Sequence, residues 1–200
     1  GPLRDGQVRQ MKPGHYCLPC LIRQATETAR FITSDDERFN SIMKEVFLSL
    51  HESDLSMCPP LLSQAVHRAV RRVTGDADPY REHKKRFNDL ALSILPELTS
   101  RVEKSADPFA DAVRISIAGN VIDMGVTGNL TEKQVTAAMY RIMKEPFQGS
   151  ISEMKTRLAN ARNVLFLADN SGEIIFDTLL LRHLNIPDIT VAVRGYPILN

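Results

Sequence analysis

The sequence predicts an α/β protein: a helical region from residue 11 to about 161, followed from residue 162 by the start of an α/β domain. Two observations carry this. Apolar residues recur at helical spacing from Cys17 to about Ala161, and the period changes only at Asn163. The chain then reads as a strand (Val164–Ala168), a polar turn (Asp169-Asn170-Ser171-Gly172), a helix (Glu173–Leu184) and a second strand (Asp188–Val193). The first apolar run suits a strand buried on both faces, and the helix is apolar on every side, as a buried helix is.

At 200 residues the chain has room for one large domain or two small ones. Its 43% apolar and 24% charged content is ordinary for a soluble globular protein. A formal net charge of +1 gives no reason to expect nucleic acid or an anionic membrane surface as partner. No apolar run approaches spanning length, and no secretory signal is visible. Three cysteines do not make a disulfide framework, so a reducing cytoplasm is the expected compartment. Gly1 to Gln10 is polar and patternless, and Met11 could be a native start after an extension. Two parallel strands cannot cover their own faces and edges, so the natural protein is expected to continue past Asn200.

The first predicted helix opens at Cys17-Leu18-Pro19-Cys20, with Pro19 tolerated in its first turn, and buries Leu21, Ala25, Thr28 or Ala29, and Ile32. The Cys-x-x-Cys pair could ligate zinc if His15 and Cys58 completed the site, could serve redox chemistry, or could be two small packed thiols. Ser34-Asp35-Asp36-Glu37 has capping-box spacing ahead of a helix burying Phe39, Ile42 or Met43, Val46 and Leu50. After Cys58-Pro59-Pro60, a third helix carries Leu61, Leu62, Ala65, Val66, Ala69, Val70 and Val73 to a stop at Gly75. His67 on its flank reads as a surface or satisfied histidine rather than a ligand.

Pro79 is expected near the first position of the next helix, whose stripe is Phe87, Leu90, Ala91 and Ile94. Its basic run from Arg81 to Arg86 is a solvated face, or it aims Lys84 at a phosphate. Asp107-Pro108 begins a helix with two unlike faces. Phe109, Val113 and Ile117 supply apolar packing, while Ala112, Ser116, Asn120 and Asp123 form a small, polar stripe. Polar groups in so apolar a segment need partners, and Gly119 implies that something approaches the backbone there. Asn120 and Asp123 are therefore candidate site residues. Thr131-Glu132-Lys133-Gln134 is a second capping box, before a helix burying Val135, Ala138, Met139, Ile142 and Met143. A last helix, Ile151 to Ala161, leads into the strand.

The turn after that strand concentrates the chemistry. In an open α/β sheet the carboxyl end of a strand and the next helix N-terminus form the usual ligand crevice. Backbone N–H groups there favour a phosphate, and Asp169 and Asn170 offer the hard oxygens that Mg²⁺ or Mn²⁺ prefers. The plain alternative is a strand-to-helix turn capped by Asp169 or Ser171.

Several motifs then agree with one family. The chain resembles the metal-dependent damage-control phosphatases, once catalogued as domain of unknown function 89. The resemblance runs through Cys17-Leu18-Pro19-Cys20-Leu21-Ile22-Arg23-Gln24, Asp78-Pro79-Tyr80 with Lys84 and Asn88, and Gly119-Asn120-Val121-Ile122-Asp123. It continues through Asp169-Asn170-Ser171-Gly172-Glu173 and Val193-Arg194-Gly195-Tyr196-Pro197-Ile198-Leu199-Asn200. The cysteine pair resembles the microbial-type branch.

The resemblance implies a helical N-terminal region packed on a Rossmann-like three-layer α/β domain, truncated here at its C-terminus. It also implies a divalent metal (Mn²⁺, Mg²⁺, Co²⁺ or Ni²⁺) held by Asp169 and Asn170. Family members add a further Asp directly after the Pro-Ile-Leu-Asn stretch, whose last residue here is Asn200. Ser171 stands where the family more often has Ala.

The expected activity is hydrolysis of small phosphometabolites such as sugar phosphates. Asp169 and Asn170 would be ligands. Glu173 would orient the water or a neighbouring group, or cap its own helix. Asn120, Asp123, Ser171 and Gly172 would line the substrate pocket, with Arg23 and Arg194 neutralising the phosphate or lying in solvent. Carboxyl methylation and a non-catalytic helical interaction module are the rivals; for the first, Gly172 is solitary where an adenosyl loop would be glycine-rich.

Overall fold

The computed structural model describes residues 12–121, 131–146 and 148–194, with no side-chain description at 121. These residues form eight helices and a two-stranded parallel sheet. The chain divides into two compact units, 1–80 and 81–200. The expected change of character at 161/162 thus lies inside the second unit.

The first unit contains α1 (Cys17–Ile32), α2 (Asp36–Glu52) and α3 (Pro59–Thr74). Leu21, Ala25, Thr28 and Ala29 on α1 are buried, as their spacing predicts. Ile42, Met43, Val46 and Leu50 of α2 and Leu62, Val66, Ala69 and Val70 of α3 complete this core. The cap of α2 is Asp35, one residue later than expected. Its carboxylate accepts from Arg38 N at 2.7 Å, and a charged acceptor suits the positive end of a helix. Gly75 ends α3 at φ +67°, where a side chain would be strained. Leu61 was expected inside but is exposed, since the two prolines before it place it on the outer side of the first turn.

His67 is buried, with Nδ1 2.6 Å from the Tyr80 hydroxyl and the two rings edge to face. It is a satisfied core histidine. Burial pushes the Tyr80 hydroxyl well above the usual phenol range.

The second unit holds α4 (Arg81–Glu103), α5 (Pro108–Val121), α6 (Glu132–Met143), α7 (Ile151–Ala159), β1 (Asn163–Leu167), α8 (Glu173–Leu181) and β2 (Asp188–Ala192). Helix α4 begins at Arg81, after Pro79 and Tyr80, which form a turn instead of its first residues. Thr131 and Gln134 make the expected reciprocal capping box of α6. The core joins Ala91, Ile94 and Leu98 of α4, Ala112, Ile115 and Ala118 of α5, Val135 and Met139 of α6, and Phe176, Leu179 and Leu180 of α8. Ile117, expected inside, is exposed; small Ala112 and Ala118 are fully buried instead, which lets α8 come close to α5.

The two strands pair in parallel, Val164 with Ile189 and Phe166 with Val191. The expectation of strands buried on both faces is corrected. Phe166 packs on the core, but Leu165 and Leu167 are 63% and 72% exposed, and Val191 and Val193 are exposed too. Leu165 and Leu167 alternate with Phe166 and so face the other way. Val191 pairs with Phe166 on the same side of the sheet and is exposed as well, so the described residues cover β1 on that side and leave β2 partly open. Asp123 and Gly125, Met11, and the segment 195–200 lie outside the described residues.

Candidate functional site

The site is built where β1 gives way to α8. Ala168 N donates to Ala192 O at 2.9 Å, one pairing beyond the strand, so Asp169 leaves the sheet at a fixed point. The turn closes on Gly172, whose φ of +83° is reached readily only without a Cβ. Gly172 N donates to Asn88 Oδ1 at 2.8 Å, a link from α4 to the first turn of α8. Ile174 N donates to Asn170 O at 3.2 Å, and Asn170 N donates to Glu173 Oε2 at 3.2 Å. Glu173 thus reaches back across the turn to a backbone N–H three residues earlier, while Gly172, the N-cap of α8, has no side-chain cap bond.

Five side chains converge there. Asn120 Nδ2, from α5, donates to Glu173 Oε1 at 2.9 Å and to Asp169 Oδ2 at 3.2 Å. Asn170 Nδ2 donates to Asp169 Oδ2 at 3.2 Å and reaches Glu173 Oε2 at 3.5 Å. Each amide therefore bridges the two carboxylates. The guanidinium of Arg194, just past β2, pairs with Asp169 Oδ1.

One helical turn away, Ser116 Oγ on α5 donates to Asp177 Oδ1 on α8 at 2.5 Å. Burial pushes the Glu173 carboxyl up, against the lowering effect of the Asn120 bond, and the charge of Asp177 raises it further. Burial also pushes Asp177 up, opposed by Ser116.

Of the candidate residues, Asp169, Asn170, Glu173, Asn120, Gly172 and Arg194 are brought together, with Ser171 half-buried in the same turn. Arg23 lies exposed on α1 in the first unit, its Nη2 3.9 Å from Cys20 Sγ. Cys17, Cys20 and Cys58 are free thiols, and Gly14 N donates to Cys17 Sγ at 3.3 Å. Among the described residues no three His, Cys, Asp or Glu side chains form a group able to hold a metal. Asn88 and Asp177 are additions that the sequence reading did not place in the site. A polar residue beside Phe87 and an acidic one inside the apolar α8 were the available signals.

Asp177 has a consequence for stability. A carboxyl whose pKa is raised on folding contributes stability that is present below its unfolded value and is lost as pH rises through the folded one. The protein should therefore lose stability as pH climbs above the ordinary aspartate value of 3.8. Asp177→Asn should flatten that decline and melt higher than the parent at pH 8. Thermal melts from pH 4 to 8 check this; parallel curves for the two proteins would refute it.

A family model described as the damage-control phosphatase ARMT1-like domain matches residues 14–200, and the chain belongs to that family. A damage-control phosphatase of Archaeoglobus fulgidus is 34% identical over 196 residues, covering 95% of this chain and 67% of the relative. An uncharacterized protein of Methanocaldococcus jannaschii is 31% identical over 203 residues, covering 98% of this chain and 66% of its own length. The crystal structure of a DUF89 family protein from Pyrococcus horikoshii superposes with a TM-score of 0.81 at 23% identity, over 95% of this chain and 67% of that one. That likeness shows a common fold. The chain spans about two thirds of the length of these relatives. Among the described residues no helix is long and apolar enough to cross a membrane.

Proposed function

We propose that this chain carries active-site residues of a divalent-cation-dependent phosphatase acting on small phosphorylated metabolites, sugar phosphates among them. The observation that carries the reading is the convergence of Asp169, Asn170, Glu173, Asn120 and Arg194 at the carboxyl end of β1. This is the crevice position of a Rossmann-like sheet, which we propose as the setting of the site. The name of the Archaeoglobus relative, a damage-control phosphatase, agrees with it.

The donor chemistry fits a hard cation. Asp169 supplies a carboxylate and Asn170 an amide oxygen, and Mg²⁺ is commonly held by one or two such groups together with substrate phosphate. Mn²⁺, Co²⁺ and Ni²⁺ accept the same donors. When bound, the cation supplies charge for a phosphoryl oxygen and acidifies a bound water.

The chain's own residues do the rest. Glu173 holds Asn170 by its backbone and Asn120 by its amide, fixing both beside Asp169. Gly172 N is taken by Asn88, so Arg194 is the cationic group of the cluster assigned to the phosphate. Ser171 and Gly172 form the turn along which the substrate lies, and Asp123 is proposed as a further substrate contact.

Phosphate release from a panel of sugar phosphates, with and without Mn²⁺, tests the reading; no cation-dependent release from any of them would overturn it. Asn120→Ala should lower kcat about 10- to 100-fold while the melting temperature changes little, since Asn120 holds ligands instead of filling the core. Normal specific activity in a destabilised Asn120→Ala protein would make the residue structural.

A further inference from the structure

We infer that Ser116 and Asp177 form a positioning pair, setting the register of α5 against α8 so that Asn120 arrives between Asp169 and Glu173. The functional consequence rests on the cation-site reading above. Asn120 meets Glu173, and four residues back along α5 Ser116 meets Asp177, four residues onward along α8. The helices therefore run antiparallel with polar rungs one turn apart, a separation of about 5.4 Å along the axis.

Between the rungs Gly119 faces Phe176, and a Cβ at that glycine would stand 2.9 Å from Phe176 Cδ2. The interface is thus close, with both rungs set in an apolar contact. Apolar contacts tolerate sliding, whereas a hydrogen bond is directional and has one register. A buried carboxylate is costly, and a pair of apolar residues would pack here at no such cost. Asp177 is only 1% exposed, and setting the register is a role that an apolar residue there would not fill. It touches Ser116 and acts on the site through the helix pair.

The test uses Ser116→Ala, Asp177→Ala, which removes the acceptor, and Asp177→Asn, which keeps an acceptor oxygen. Two readouts apply to the 200-residue chain: the Asn120 side-chain amide resonances, assigned with Asn120→Ala, and Mn²⁺ affinity by calorimetry. Ser116→Ala and Asp177→Ala should shift the Asn120 amide resonances and speed their exchange, and weaken Mn²⁺ binding about 10-fold. Asp177→Asn should retain both properties.

The Ser116→Ala/Asn120→Ala double variant should bind Mn²⁺ no more weakly than Asn120→Ala alone, because one residue acts through the other. A pair that merely stabilises the fold would lower the melting temperature and leave the Asn120 amide unmoved. That result, or multiplying effects in the double variant, overturns the inference. The amide readout needs no metal. If the parent chain binds no Mn²⁺, the cation reading fails and the resonances alone decide the positioning role.

Discussion

Asp169→Ala should abolish divalent-cation binding, and with it phosphate release, while the helices stay folded. Asp169 offers the one carboxylate in the proposed ligand pair, at the end of a strand whose pairing holds it in place. Its removal leaves Asn120 and Asn170 still bonded to Glu173, so the turn and α8 keep their anchor. Arg194 loses its carboxylate, which adds uncompensated positive charge where the cation would sit. Both effects act against the metal, and a loss of at least about 100-fold in affinity is expected. Calorimetric titration with Mn²⁺ beside far-UV circular dichroism checks this, and unchanged affinity in a folded variant would falsify the ligand assignment.

Gly119→Val should produce the largest loss of stability among the substitutions considered. A Cβ at this position meets the Phe176 ring at 2.9 Å, and Phe176 is 1% exposed, so the ring can yield only by shifting within a close-packed core. Overpacking of this kind costs about 1–3 kcal/mol. The gain from replacing glycine in a helix offsets less than about 1 kcal/mol of that, and valine, with its restricted χ1, recovers little. Urea denaturation should show a lower midpoint with an unchanged slope, and Phe176→Leu in the same chain should restore part of the loss. A Gly119→Val protein as stable as the parent would mean that α5 and α8 can move apart cheaply.

Much of the architecture was legible because local rules and tertiary packing agree. Thr131 and Gln134 behave as their spacing demands, Gly75 ends its helix, and α1 buries the residues its stripe implies. Gly119 correctly marked a close approach, but the approaching group is Phe176. Sequence shows that a missing Cβ matters without showing what fills the space.

That the Asp169-Asn170 turn and Asn120 find partners was readable, since polar groups in apolar surroundings require them, and the structure brings these residues together. Asn88 stands in one of the motifs, yet its contact with the turn is not legible in the sequence, because a polar residue beside an apolar stripe looks like any solvated one. Its partner is a backbone N–H on another element, which leaves no compositional trace. Leu165 and Leu167 look buried in composition, but burial is set by what covers a sheet, and strand sequence alone does not encode that.

The bonds that assemble the cluster bear on how the protein folds. The partners are far apart along the chain: 53 residues for Asn120–Glu173, 61 for Ser116–Asp177 and 84 for Asn88–Gly172. None can form during the early, local winding of a helix, because each closes a long loop whose entropy must be lost first. In the first unit, by contrast, Tyr80 meets His67 across only 13 residues. Refolding should therefore recover helical circular dichroism before cation binding, with a lag set by the docking of α8 onto α4 and α5.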